Sequence, residues 1–255
     1  MTSVRTIDLN ADLGEHDGDG ASADSAMLDV VSSANIACGA HAGSREVMDM
    51  TIKAALDRGV AIGAHPSYPD RDGFGRKELG LSIDEIIASV REQIITLAQC
   101  CASAGARMSY VKPHGALYNR ASRDAELAKA LAKCVAEIDS SLTMLALSGS
   151  SLEQESRNAG LIVAREAFID RAYKSDGTLV PRESAGAVIA DAAAAAERAQ
   201  AIANDHTITA IDGKQIDVWA DSLCVHGDSP NAIAIVTAAR RKLEAIGFTV
   251  VPFSR

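Results

Sequence analysis

The chain has 255 residues, of which 47% are hydrophobic and 23% charged, the balance of a globular protein and not of a disordered or fibrous one. Its 25 basic and 34 acidic residues leave a net charge of −9 with no basic block, which argues against a nucleic-acid partner. No apolar run approaches the ~20 residues that span a bilayer, and Met1-Thr-Ser-Val-Arg-Thr6 lacks a signal-peptide core, so a cytoplasmic protein with no membrane partner is expected.

In chain order, the pattern predicts strands over 6–10, 35–38, 60–64, 110–112, 143–146, 161–165, 223–225 and 249–251. Between them it predicts helices over 25–33, 45–58, 82–104, 123–138, 151–159, 185–203 and 232–246. Short apolar strands alternating with amphipathic helices indicate a parallel sheet with right-handed crossovers. Seven or eight such units in one domain, 1–255, fit a closed (β/α) barrel of the α/β class. One stretch breaks the rhythm. The segments 207–211 and 215–219 flank Asp212-Gly213, the signal of an antiparallel hairpin inserted before the last unit. The cysteines at 38, 100, 101, 134 and 224 contain no Cys-x-x-Cys pair and are expected to be reduced, mostly buried thiols.

Four of the six histidines closely follow an apolar strand: His41, His65, His114 and His226. Asp12 holds the matching position after the first strand, with Glu15 just beyond it. In a parallel barrel all strand C-terminal ends open on one face, where active sites are built. A lone histidine of this kind is as often structural as functional. Side chains at equivalent positions of successive units predict a shared mouth. His16 and His206 lie in loops and are read as ordinary surface residues.

The loop 66–76 carries Arg71 and Arg76, and the loop 170–182 carries Asp170, Arg171, Tyr173 and Arg182. Arginines over a barrel mouth suit carboxylate or phosphate capture. Lys112, two residues before His114, points to the same side, into a barrel wall read as apolar, and its ammonium needs a partner there. If that partner is an anionic substrate, Lys112→Met leaves the fold as stable or more so; if it is a neighbouring carboxylate, the same change lowers stability. No Walker A loop, strand-linked G-x-G-x-x-G, G-x-S-x-G elbow or H-E-x-x-H helix occurs.

Several phrases together are recognisable: Asp8-Leu-Asn10-Ala-Asp12-Leu-Gly-Glu15; Ser33-Ala-Asn-Ile-Ala-Cys-Gly39 with His41-Ala-Gly43; and Gly63-Ala-His-Pro-Ser-Tyr-Pro-Asp-Arg71 with Phe74-Gly-Arg76. With Val111-Lys-Pro-His-Gly115, Leu117-Tyr-Asn119, Phe168-Ile-Asp-Arg171, Tyr173, Leu179-Val-Pro-Arg182 and Val225-His-Gly-Asp228, they resemble the LamB/YcsF family in order along nearly the whole chain. The resemblance implies a barrel akin to the glycoside hydrolase/deacetylase superfamily. It also implies one subunit of an ATP-dependent enzyme that opens the lactam of 5-oxo-L-proline to L-glutamate, with two partner subunits, B and C. On that reading ATP is a co-substrate, and Asp12, Glu15, His41, His65, Lys112 and His114 are the candidates for proton transfer and charge stabilisation. Asn10, Arg71, Arg76, Asp170, Arg171, Tyr173, Arg182, His226 and Asp228 are the candidates for binding substrate and phosphate. No metal ligands are assigned, although a divalent metal among Asp12 and the histidines stays open. Two other classes fit the same residues: a metal-dependent amide or deacetylase-type hydrolase that needs no ATP, and a non-catalytic ligand-binding subunit. Ser44 stands where the family usually has Asp and is expected to keep the helix-capping role.

Overall fold

Alternation along the first strand explains most of the architecture. In β1 (Arg5–Leu13) the odd residues Ile7, Leu9, Ala11 and Leu13 are apolar, whereas Asp8, Asn10 and Asp12 are polar, and all seven are buried. Successive side chains of a strand point to opposite faces. The apolar set therefore packs outward against helices in the main core, and the polar set fills the interior of a barrel. The same division recurs where Ser33 and Asn35 alternate with Ala34 and Ile36, and where Ser222 and Cys224 alternate with Leu223 and Val225.

The computed structural model describes residues 4–16, 21–227 and 231–254. After β1 come α1 (Ala21–Leu28), β2 (Ser33–Ala37), α2 (Arg45–Leu56), β3 (Ala61–His65), α3 (Ile83–Ser103), β4 (Met108–Val111), α4 (Gly115–Ala121) and α5 (Ala125–Ile138). The chain continues through β5 (Thr143–Leu147), α6 (Ser151–Asn158), β6 (Ile162–Phe168), α7 (Ala192–Gln200) and a π-helical turn at Ala201–Asp205. It ends with β7 (Thr207–Thr209), β8 (Gln215–Asp217), β9 (Ser222–Val225), α8 (Ala232–Ala245) and β10 (Phe248–Val250). Strands β1–β2–β3–β4–β5–β6–β9 pair in parallel, and β9 closes back on β1. The closed barrel has seven strands. β10 lies outside it, pairing with Arg5–Ile7 only, and the hairpin β7–β8 is antiparallel as expected.

Several boundaries differ from the sequence reading, each for a local reason. Helix α1 stops at Leu28 because the amides of Val30 and Val31 turn back to the Met27 carbonyl, so Ser33 starts a strand instead of ending a helix. The predicted helix 185–203 begins only at Ala192, capped by Asp191. Its expected first turn is spent on the loop: Ala187 and Asp170 carbonyls accept from the Ala172 and Ile189 amides. The short helix α4 has no counterpart in the sequence pattern after Pro113-His114, yet Ala116, Leu117, Tyr118 and Ala121 bury one face of it. The hairpin turn is a five-residue loop closed from Ala210 to Lys214, with Gly213 at φ +85°, and not a two-residue turn on Asp212-Gly213. Asp12 lies within β1 and not after it. Ser44 caps α2 as expected, accepting from the Val47 amide at 3.3 Å. All five cysteines are buried free thiols.

The barrel interior is packed as well as polar. Gly63 sits opposite Tyr110 in the register of β3 and β4, and a Cβ at Gly63 would lie 2.2 Å from the Tyr110 ring. That close approach lets the ring cross the barrel, where its hydroxyl donates to Asn35 Oδ1 at 2.7 Å. Phe253 packs edge-on against the other side of the ring at 5.0 Å.

At the strand N-terminal end, Asp8 is fully enclosed. Its carboxylate accepts from the hydroxyls of Ser32 (2.6 Å), Ser33 (2.7 Å) and Ser222. Burial pushes its pKa up to about 6; the three hydroxyls oppose the shift, and the like charge of Glu166 adds to it. A carboxylate raised from 3.8 to about 6 penalises folding by ~3 kcal/mol once ionised. Below pH ~4 both folded and unfolded chains hold the proton and the penalty vanishes; it grows between pH ~4 and ~6 and is complete above. Asp8→Asn is therefore expected to gain stability over the parent by up to ~3 kcal/mol at pH 7.5 beyond any difference at pH 4. Urea melts at both values check this, and a gap that does not change with pH would contradict it.

Candidate active site

The β→α loops at the strand C-terminal ends enclose a cavity of about 560 Å³. Its walls include Asp12, Glu15, His65, Lys112, His114 and His226, which come from β1, β3, β4, β9 and the turns that follow them. The expected convergence at one end of the barrel is what the structure has. Arg76, Arg171 and Arg182 also line the cavity, with Phe168 beside them.

Lys112 sits at the bottom of this mouth and is buried. Its Nζ lies 2.9 Å from Glu166 Oε1 and 3.1 Å from Asp12 Oδ1, and it donates to Asn10 Oδ1 at 3.2 Å and towards Cys224 Sγ at 3.1 Å. Burial works against the ammonium, but Asp12 and, with it, Glu166 outweigh that and hold its pKa well above the usual lysine value. Burial likewise opposes the Asp12 carboxylate, yet His65 and Lys112 keep it well below the usual range. The barrel wall around Lys112 is therefore not apolar, and its partners are carboxylates of the protein itself.

Above Lys112 the histidines form one packed group. His41 stacks on His114 with ring centroids 3.9 Å apart, and His65 meets both rings edge-on. His41 Nε2 is 3.0 Å from Glu15 Oε1, and its Nδ1 is 2.8 Å from Ser67 Oγ. Burial, reinforced by His65, pushes the His41 pKa down to about 3, and burial also holds His114 well below its usual value, so both are neutral imidazoles at pH 7. Phe74 adopts a left-handed backbone (φ 54°), which aims its carbonyl at His114 Nε2 (3.0 Å), and its ring packs edge-on against both His41 and His114. A non-glycine residue in that region carries strain of ~1 kcal/mol or more, which the surrounding contacts must offset. Asp12, Glu15, His65 and His114 each bring one donor atom to within 4.8 Å of the others, and these are the groups that could hold a metal ion.

Across the mouth, Asp170 is fully buried and holds His226 twice. Its carboxylate accepts from the His226 backbone amide at 3.0 Å and contacts ring Nδ1 at 3.0 and 3.1 Å. Nδ1 thus carries a hydrogen towards the carboxylate, which fixes the ring's orientation. The ring stacks on Phe168 at 5.1 Å.

Not every expected residue reaches the cavity. Arg71 donates to the carbonyls of Gly39 (3.0 Å) and Gly43 (2.8 Å) and so ties the 66–76 loop to the turn after β2. Tyr173 is buried with its hydroxyl accepting from the Phe168 amide at 2.7 Å, and Asn10 lies below Lys112, bonded to Ser222 at 2.7 Å. Arg171 does line the cavity, but its guanidinium donates to the Val180 carbonyl at 2.7 Å. Asp228 lies outside the described residues. His16 pairs with Asp24 at 3.1 Å and His206 stacks on Trp219 at 3.7 Å, away from the mouth. Glu166 is the buried partner of Lys112 that the sequence reading misses. The alternation Ala164, Glu166, Phe168 along β6 is its signal, and the predicted strand stops one residue short of it.

Residues 7–255 match the LamB/YcsF family over almost the entire chain. The chain belongs to the LamB/YcsF family. It is 50% identical over 252 residues to the 5-oxoprolinase A subunit 1 of Agrobacterium fabrum, covering 98% of this chain and 99% of that one. It is 49% identical to the 5-oxoprolinase A subunit of Heliobacterium modesticaldum, covering 96% of each. The crystal structure of a lactam utilization protein from Thermus thermophilus superposes with a TM-score of 0.90 at 42% identity, covering 97% of this chain and all of that one.

In this LamB/YcsF chain, removing Lys112 leaves Asp12 and Glu166 buried without their cation. Lys112→Met is expected to destabilise by ~3–5 kcal/mol, or roughly 10 °C in melting temperature, contrary to the outcome for a lysine whose partner is the substrate. Adding Glu166→Gln should restore part of the loss. A single variant that melts with the parent would show that the ion pairs do not hold the barrel.

Proposed function

We propose that this chain is the A subunit of an ATP-hydrolysing 5-oxoprolinase, acting in the cytoplasm with partner subunits B and C. The observation that carries the reading is the 50% identity, end to end, to a relative bearing that name. The cavity supports it, because Arg76 and Arg182 line it together with buried imidazoles and carboxylates. Among the described residues no helix is long and apolar enough to cross a membrane.

A lactam resists water because amide resonance makes its carbonyl a poor electrophile. Phosphorylation of the lactam oxygen by ATP removes that resonance and leaves an imidate phosphate. Water adds to the ring carbon, and the C–N bond breaks as the ring nitrogen takes a proton. The resulting acyl phosphate is hydrolysed by a second water to glutamate and phosphate. In this scheme Arg76 and Arg182 bind the carboxylate and phosphate through charge-assisted hydrogen bonds. Glu15, backed by His41, takes the proton of the attacking water. Lys112 holds the Asp12 carboxylate in place and adds a fixed positive charge beneath the developing oxyanion. His226, with Nδ1 tied to Asp170, transfers a proton at Nε2 on the opposite side.

Glutamate formation and 5-oxoproline-dependent ATP hydrolysis should be measured with the chain alone and after reconstitution with B and C. Glutamate is expected only from the full set, and its absence there would reject the reading. His226→Gln should slow turnover by ~100-fold or more while assembly, followed by gel filtration, stays intact. Unchanged turnover would take His226 out of the proton-transfer group.

A further inference from the structure

Donor and acceptor accounting at the centre of the histidine group leads to a cation. His65 Nδ1 lies 2.8 Å from the Lys112 carbonyl, and His114 Nε2 lies 3.0 Å from the Phe74 carbonyl. A carbonyl oxygen only accepts, so both of these nitrogens carry hydrogen. In the neutral imidazoles the remaining nitrogens, His65 Nε2 and His114 Nδ1, are therefore lone pairs, and they face each other at 2.9 Å. Besides the stacked His41 ring, two carboxylate oxygens face them. Asp12 Oδ1 is 3.3 Å from His65 Nε2, and Glu15 Oε1 is 3.3 Å from His114 Nδ1 and 4.0 Å from His65 Nε2. Two ring lone pairs and two carboxylate oxygens thus converge on one point.

We propose that Asp12, Glu15, His65 and His114 bind one divalent first-row cation of the zinc class through one atom each. The spacing fits. Ligands held tetrahedrally at 2.0–2.2 Å are about 3.4 Å apart, close to the 2.9, 3.3 and 3.3 Å observed for three of the pairs. Two imidazole nitrogens with two carboxylate oxygens form a borderline donor set, better suited to zinc, cobalt or iron than to magnesium or calcium. The second shell is already in place, since each histidine donates its other N–H to a backbone carbonyl and fixes its tautomer. A bound cation would supply polarisation of a carbonyl oxygen or acidification of a water at the cavity floor. The site does not depend on the reaction proposed above, because metal binding is read without substrate or partner subunits.

The competing arrangement is a single shared proton that makes one of the two rings an imidazolium. Full-length chain purified without chelator should carry close to one equivalent of metal by elemental analysis. After chelation and dialysis it should bind Co²⁺ with the visible absorption of a tetrahedral centre, and Zn²⁺ one-to-one by calorimetry. His65→Gln and Glu15→Gln should weaken Zn²⁺ binding by at least ~100-fold, beyond the 10–100-fold of losing a supporting group. His16→Gln and His206→Gln should not change it. Circular dichroism of each variant establishes that it is folded, and a third ligand variant, His114→Asn, stands in if one is not. A folded parent that binds neither ion would overturn the proposal in favour of the shared proton. Equal affinity in the folded ligand variants would also overturn it, because the ion would then sit elsewhere.

Discussion

The ammonium of Lys112 between the carboxylates of Asp12 and Glu166 is the constraint on which the barrel depends. Parallel barrels of this kind are ordinarily filled by branched aliphatic side chains. Here the inward positions of β1, β2, β6 and β9 include the buried polar residues Asp8, Asn10, Asp12, Asn35, Glu166 and Ser222. Such an interior is tolerable only when every polar group has a partner, because an unmet buried charge costs several kcal/mol. The partners form one network. Asn35 donates to both Asn10 and Asp12, Asn10 donates to Ser222, Ser222 donates to Asp8, and Tyr118 donates to Glu166. Lys112 supplies the positive charge within it, and two of the carboxylates rely on it.

That network reaches the cavity through Asp12, Lys112 and Tyr118, which all line it. Asp12 Oδ1 meets Lys112 and Asn35 from below and His65 from above. Asp12 Oδ1 thus joins the histidine group to the barrel interior. The loops then lock the histidines from outside. Gly115 at φ +55° turns α4 away immediately after His114, and a Cβ there would lie 2.6 Å from the Gly75 carbonyl. The strained Phe74 carbonyl and the Gly75 carbonyl are both used, by His114 and Ala116. The backbone of the 66–76 loop therefore does more positioning at this site than its arginines do.

How much of this was legible follows from the kind of signal each residue gives. The repeat of apolar strand and amphipathic helix is a property of the chain in one dimension, so barrel class, strand count and hairpin were readable. The histidines were readable because each follows a strand end. Glu166 was not, because a lone carboxylate at a strand end has no meaning until β6 is laid beside β9 and Lys112 is seen across the barrel. Arg71 misled for the opposite reason. Its loop is at the mouth, but the carbonyls of Gly39 and Gly43 lie nearer than the cavity, and side-chain direction is set by tertiary contact. The predicted helix 185–203 failed at its start because loop hydrogen bonds to Asp170 and Ala172 outcompete the helix propensity of an alanine-rich run.

The two sides of the mouth consequently rest on different supports. The Asp12 side is built on barrel strands and on the buried ion pairs, so changes there strike stability and the site together. The His226 side rests on Asp170, which sits where β6 gives way to the long loop 169–191. That loop is tied to itself by the bridges Arg171–Val188 and Tyr173–Leu179 and by the Arg171 side chain on the Val180 carbonyl. It carries Arg182, which lines the cavity, on the same stretch, so any shift of the loop moves Arg182 and the orienting carboxylate of His226 together. The strands carry the ion-paired floor of the cavity, and the 169–191 loop carries its opposite wall.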